Sequence, residues 1–102
     1  MDFTVTTAIE AGRFSLHVAG ELDLAARDEL VAEGQRALTD PACTELVLDM
    51  ADVTFIDSSG VGGLVALRTE AIQRDQQVTI VNPSGRVQRL LELTGLESVF
   101  LG

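Results

Sequence analysis

Phe3 and Val5 alternate with Thr4 and Thr6, the period-two spacing of a half-buried strand. Phe14, Leu16 and Val18 alternate in the same way with Ser15, His17 and Ala19. Glu10-Ala11-Gly12-Arg13 lies between the two runs, and a short glycine-containing turn there predicts an antiparallel hairpin. The spacing then changes. After Gly20-Glu21-Leu22-Asp23 the apolar positions become Leu30, Val31, Gly34, Ala37 and Leu38, a helical stripe with Asp23 as its candidate N-cap. Glycine in a helix interior costs roughly 1 kcal/mol relative to alanine, so Gly34 predicts close packing against a sheet.

Asp40-Pro41 ends that helix, and Leu46-Val47-Leu48 is a continuous apolar run, the pattern of a strand covered on both faces. Val78-Thr79-Ile80-Val81 is another buried strand. Asn82-Pro83-Ser84-Gly85 makes a turn, with Ser84 capping a helix whose apolar positions are Val87, Leu90, Leu91 and Thr94. Gly95-Leu96 reads as a Schellman ending, with Leu96 folding back toward Leu91. Val99-Phe100-Leu101 is expected as a short last strand or an apolar plug. A hairpin followed by strand–helix alternation predicts an α/β domain. It would be a small mixed sheet with an N-terminal hairpin and its helices packed mainly on one face.

The stretch that the rest presents is Thr54 to Gly63. It is extended and apolar to Ile56, then turns through Asp57-Ser58-Ser59-Gly60 and continues at helical spacing through Val61, Leu64, Val65, Arg68 and Ile72, with Leu67 and Ala71 beside them. Ser58 or Ser59 is the expected N-cap, because a hydroxyl there accepts from a free first-turn amide. Gly60, Gly62 and Gly63 predict a turn with little side-chain cover, its amides open to a partner or a phosphate. Strand-to-helix turns of parallel strands gather at one sheet edge, which would bring Asp23, Asp57, Ser58, Ser59, Asn82 and Ser84 together.

The chain has 102 residues, sized for one domain. Its 16 acidic residues oppose 7 basic ones, all arginine, for a formal net charge of −9. Nothing resembles a phosphate-neutralising patch, which argues against nucleic acid and anionic membranes and for a partner with a basic docking surface. Cys43 is the only cysteine, expected half-buried, and a lone cysteine excludes an internal disulfide. No run approaches membrane-spanning length, and the strand pattern starts without an apolar signal segment, so a cytoplasmic, monomeric protein is expected.

Catalysis finds little support. Gly-x-Ser-x-Gly is absent, and the only histidine, His17, lies on the hairpin with no reason to approach Ser58. Gly60-Val61-Gly62-Gly63 lacks the lysine and spacing of a P-loop. A metal would have to rely on Asp49, Asp52 and Asp57 with no histidine or cysteine cluster, and no cofactor is expected. For Asp23 and Ser84 taken singly the plain reading is a helix cap. A cap needs one side chain, however, and the central turn supplies Asp57, Ser58 and Ser59 ahead of three glycines.

Gly20-Glu21-Leu22-Asp23, Asp57-Ser58-Ser59-Gly60-Val61-Gly62, and Asn82-Pro83-Ser84 followed by Val87, Leu90, Leu91 and Gly95-Leu96 together resemble the anti-sigma-factor antagonists. These are bacterial single-domain proteins of the STAS type, and the resemblance runs through essentially the whole chain, residues 1–102. Val61 stands where leucine is common in the family.

The resemblance implies partner switching. The unmodified protein would bind an anti-sigma factor with serine kinase activity and so free a sigma factor, until the kinase phosphorylates Ser58. A serine phosphatase would reverse the modification. Asp23, Leu24, Asp57, Ser59, Gly60 and Gly62 are the implied contact residues around Ser58. The alternative is a non-phosphorylated STAS docking subunit of a lipid-transport or stress-signalling complex.

Overall fold

The computed structural model describes residues 2–101. In chain order the elements are β1 (Phe3–Glu10), β2 (Arg13–Leu22), α1 (Leu24–Leu38), β3 (Glu45–Ile56), α2 (Ser58–Gln73), β4 (Gln77–Val81), α3 (Gly85–Thr94) and α4 (Glu97–Phe100). The sheet order is β1-β2-β3-β4. β1 and β2 are antiparallel, while β2–β3 and β3–β4 are parallel, as the hairpin and the strand–helix alternation predict. The hairpin closes through Ala11 and Gly12, both at positive φ, the two-residue turn whose twist matches that of the strands it joins.

Phe14, Leu16 and Val18 of β2 are buried, as are Leu46 and Leu48 of β3 and Val78 and Ile80 of β4. They share one core with Leu30 and Leu38 of α1, Leu64 and Leu67 of α2, Val87 and Leu91 of α3, and Phe100 of α4. One sheet face therefore carries the helices. Val47 is buried on the opposite face, between its register partners Ser15 and Thr79. The continuous apolar run is thus closed in by neighbouring strands on that side.

β3 is longer than the run around Leu46–Leu48 suggests. Its pairing with β2 slips between His17 and Ala19 and again between Gly20 and Glu21. These bulges move its buried residues from Leu46, Leu48 and Met50 to Val53 and Ile56, breaking the period-two pattern. Gly34 packs closely against α2 and not, as expected, against the sheet: a Cβ there would lie 2.5 Å from Leu67 Cδ2. The end of α3 is as expected. Gly95 has φ 72°, the Leu96 amide donates to the Leu91 carbonyl at 2.9 Å, and that of Gly95 donates to Glu92 at 3.2 Å.

Two expectations change, and one open alternative is resolved. The buried arc of α2 is Gly60, Val61, Gly63, Leu64, Leu67 and Ala71, whereas Val65 and Ile72 are 40% and 53% exposed. The glycines let α1 and the sheet approach one side, which rotates Val65 and Ile72 out. Val99–Leu101 is no strand: a helical turn to Phe100 seats that ring in the core, the plug alternative. Cys43 is fully rather than half buried.

Candidate functional site

Leu22 pairs with Ile56 at the ends of β2 and β3. The next residues, Asp23 and Asp57, therefore open α1 and α2 side by side. Each is extended, and each carboxylate takes a first-turn amide. Ala26 donates to Asp23 Oδ1 at 2.9 Å, and Gly60 donates to Asp57 Oδ1 at 3.1 Å. Asp57 is thus the N-cap of α2, not Ser58 or Ser59. A carboxylate beside the positive end of a helix is stabilised further by the helix dipole.

Ser58 becomes the first residue of α2 and is exposed, while Ser59 is half-buried. Leu24, first in α1, is 62% exposed. From Ser58 an exposed stripe runs down α2 through Gly62, Val65, Ala66, Thr69 and Ile72 without a charged side chain. The sequence reading missed the last part of it, because Val65 and Ile72 count as core residues in an apolar pattern. The signal that could have found it was the pair Gly60 and Gly63, one turn apart on the opposite side.

The three glycines do not act alike. Gly60, expected among the contact residues, is buried, and a Cβ on it would lie 2.7 Å from the Leu22 carbonyl oxygen and 2.9 Å from Ile56 Cγ1. It locks the two turns together from beneath. Gly63 lies against Arg27, with a Cβ there 2.8 Å from Arg27 Cγ. Gly62 alone faces open space. The amide of Gly60 is capped, so the turn is more closed than the glycine count predicts.

The third turn is set back. β4 pairs only with the first half of β3, ending at Val81 opposite Asp49, and the Ser84 amide donates to the Met50 carbonyl at 3.1 Å. Ser84 does cap α3, accepting from Val87 at 3.3 Å. Asn82 and Ser84 lie beside the middle of β3 rather than with Asp57 at its end. The site is therefore built from two turns.

His17 is also away from Ser58, on β2 opposite Asp49 and Asp52. Its Nε2 lies 2.9 Å from Asp52 Oδ2. Among the described residues, no group of three or more His, Cys, Asp or Glu side chains could hold a metal. The groove beside Asp23, of about 260 Å³, is lined by Phe3, Glu21, Ala25, Ala26 and Glu29 as well. It is acidic, and so poorly suited to a phosphate-bearing ligand. No described helix is long and apolar enough to cross a membrane.

The STAS domain family matches residues 4–101. The anti-sigma-B factor antagonist of Staphylococcus aureus (strain NCTC 8325 / PS 47) is 27% identical over 99 residues, 97% of this chain and 91% of that protein. An anti-sigma factor antagonist from Mycobacterium paratuberculosis superimposes with a TM-score of 0.84 at 25% identity, over 97% of this chain and 83% of that one. The anti-sigma factor antagonist SpoIIAA shares the fold in two solved forms. The unphosphorylated form has a TM-score of 0.81 at 24% identity, over 98% of this chain and 86% of that one. The phosphorylated form has 0.75 at 23%, over 98% and 89%. With its four-stranded mixed sheet and two capped turns, the chain belongs to the STAS domain family and is a relative of the anti-sigma-factor antagonists.

Proposed function

We propose that this protein is an anti-sigma-factor antagonist switched by phosphorylation of Ser58. Its unmodified form binds an anti-sigma factor with serine kinase activity and so releases a sigma factor, and a serine phosphatase restores it. It acts in the cytoplasm as a regulator without catalysis or cofactor of its own, as a monomer, touching neither nucleic acid nor membrane. The observation that carries this reading is the placement of Ser58. It is an exposed hydroxyl on the first residue of a helix whose start is held by Asp57.

Asp23, Leu24, Asp57, Ser59 and Gly62 frame that hydroxyl as the contact surface, extended by the uncharged stripe of α2. Gly60 keeps the turns in register from below. The surface beside Ser58 is exposed and uncharged along α2, which suits docking against a protein.

A phosphoserine adds about −1.5 to −2 charges beside two carboxylates already at the interface. The helix N-terminus tolerates that charge locally, so the fold persists while docking fails. Each 1.4 kcal/mol lost at the interface is about tenfold in affinity. The modification therefore acts sterically and electrostatically, without a large conformational change.

The test is phosphosite mapping on protein taken from its native cells, with co-purified partners identified in the same sample. Phosphate on Ser58, and a kinase-type anti-sigma factor bound only to the unmodified form, is the expected result. Unmodified Ser58 under all conditions, with transporter subunits bound, would replace this reading with a docking subunit of a transport complex.

A further inference from the structure

We propose that α3 carries a second docking face, for an acidic, leucine-bearing helix of a partner protein. Four of the seven arginines sit in ion pairs: Arg13 with Glu45, Arg27 with Asp28, Arg36 with Glu33, and Arg74 with Glu70. Arg68, Arg86 and Arg89 have no carboxylate within ion-pair distance among the described residues; Arg68 is half-buried on α2, whereas Arg86 and Arg89 are exposed. They share one stripe of α3 with Leu90, half-buried, and Leu93, 70% exposed. The opposite side of α3 is spent on the core through Val87 and Leu91.

α3 is also charged backwards. Arg86 stands in its first turn, which holds no acidic residue, and its last turn holds Glu92 and no basic one. Cations at a helix N-terminus and anions at its C-terminus oppose the macrodipole. Within the chain, Gln88 donates to Glu92 at 3.2 Å and to Glu97 at 2.8 Å, but nothing comparable relieves the arginines. A local rule broken without internal compensation marks a functional position.

The chemistry of the stripe names its occupant. Two free guanidiniums ask for carboxylates, and the Arg86, Arg89, Leu90, Leu93 spacing is the i, i+3, i+4, i+7 ladder that a second helix reads. A lipid surface is disfavoured, since polybasic membrane segments carry roughly 4–8 cations and this domain carries a formal −9. Ser84 places the start of α3 beside mid-β3, apart from Ser58, so this face stays available whichever form Ser58 takes.

The experiment titrates the isotope-labelled full chain, by NMR, with a synthetic helical peptide carrying Glu at i and i+3 and Leu at i+4 and i+7. Shifts confined to α3 are expected, weakened at least about tenfold by Arg86→Glu with Arg89→Glu, and also by Leu93→Ala. Ser58→Asp should leave them unchanged. Arg86→Glu alone should melt no lower than the parent, since reversal in the first turn suits the dipole; a lower melting point would make Arg86 structural and overturn the proposal. So would absence of shifts, equal shifts in the reversed variant, preferential binding to phosphatidylserine vesicles, or occupation of α3 by a second copy of this chain.

Discussion

Leu22 and Ile56 face each other across two parallel strands, and this pairing sets Asp23 and Asp57 side by side as helix caps. Everything proposed for Ser58 depends on that alignment, because it decides which side chain ends the strand and which begins the helix.

Replacing Asp57 separates capping from docking. Asp57→Ala should lower stability by about 1 kcal/mol, the usual cost of losing a cap, while Asp57→Asn should hold it, since asparagine caps equally well. Urea denaturation measures both. Equal losses in the two variants would mean that charge, not the hydrogen bond to Gly60, supports the turn.

The glycines of α1 and α2 should respond with opposite signs. Gly62→Ala meets nothing within 4 Å and should raise stability by up to about 1 kcal/mol through helix propensity. Gly60→Ala drives a methyl against the Leu22 carbonyl and Ile56, and Gly34→Ala drives one into Leu67. Each should cost about 1–3 kcal/mol as overpacking. Thermal melts of the three variants, with circular dichroism to confirm the fold, check the order.

Gln76 ties the end of α1 to the segment that leads into β3. Its Nε2 donates to the Leu38 carbonyl at 3.0 Å and to the Cys43 carbonyl at 2.9 Å. Gln76→Glu would set a carboxylate oxygen against both carbonyls and should cost roughly 1–3 kcal/mol, read by denaturant unfolding. Hydrogen exchange should quicken first at the end of α1 and the start of β3.

Cys43 predicts a pH dependence. Burial pushes its thiol above the ordinary 9.0; a backbone hydrogen bond at Glu45 works against this, and the charges of Asp40 and Glu45 add to the rise. The unfolded chain therefore loses this proton first as pH rises. The thiol's contribution to stability is intact below 9.0 and is lost as pH climbs through the higher folded value. Alkylation by iodoacetamide should be slow in the native protein near neutral pH and fast in urea. Cys43→Ala should flatten the fall in stability above pH 9.0.

Replacement of Ser58 completes the set. Ser58→Ala should keep partner binding and abolish phosphorylation, and Ser58→Asp should weaken binding at least about tenfold with an unchanged melting profile. Calorimetry against the purified anti-sigma kinase reads both. A Ser58→Asp variant that binds normally would remove Ser58 from the interface.

The amino-acid sequence by itself determined the hairpin, the α/β alternation, the caps at Asp23 and Ser84, and the Schellman turn at Gly95. Each rests on local physics: period-two or helical spacing, a side chain reaching an amide three residues on, a glycine at positive φ. Tertiary structure alone decided that Asp57 rather than a serine caps α2, since all three can do so and the pairing of Leu22 with Ile56 selects among them. It also rotated Val65 and Ile72 outward, because bare glycine surfaces at Gly60 and Gly63 admit close neighbours that no apolar pattern counts. The short β4 set the Asn82–Ser84 turn apart from the site, since strand length and register are fixed between strands and not within one.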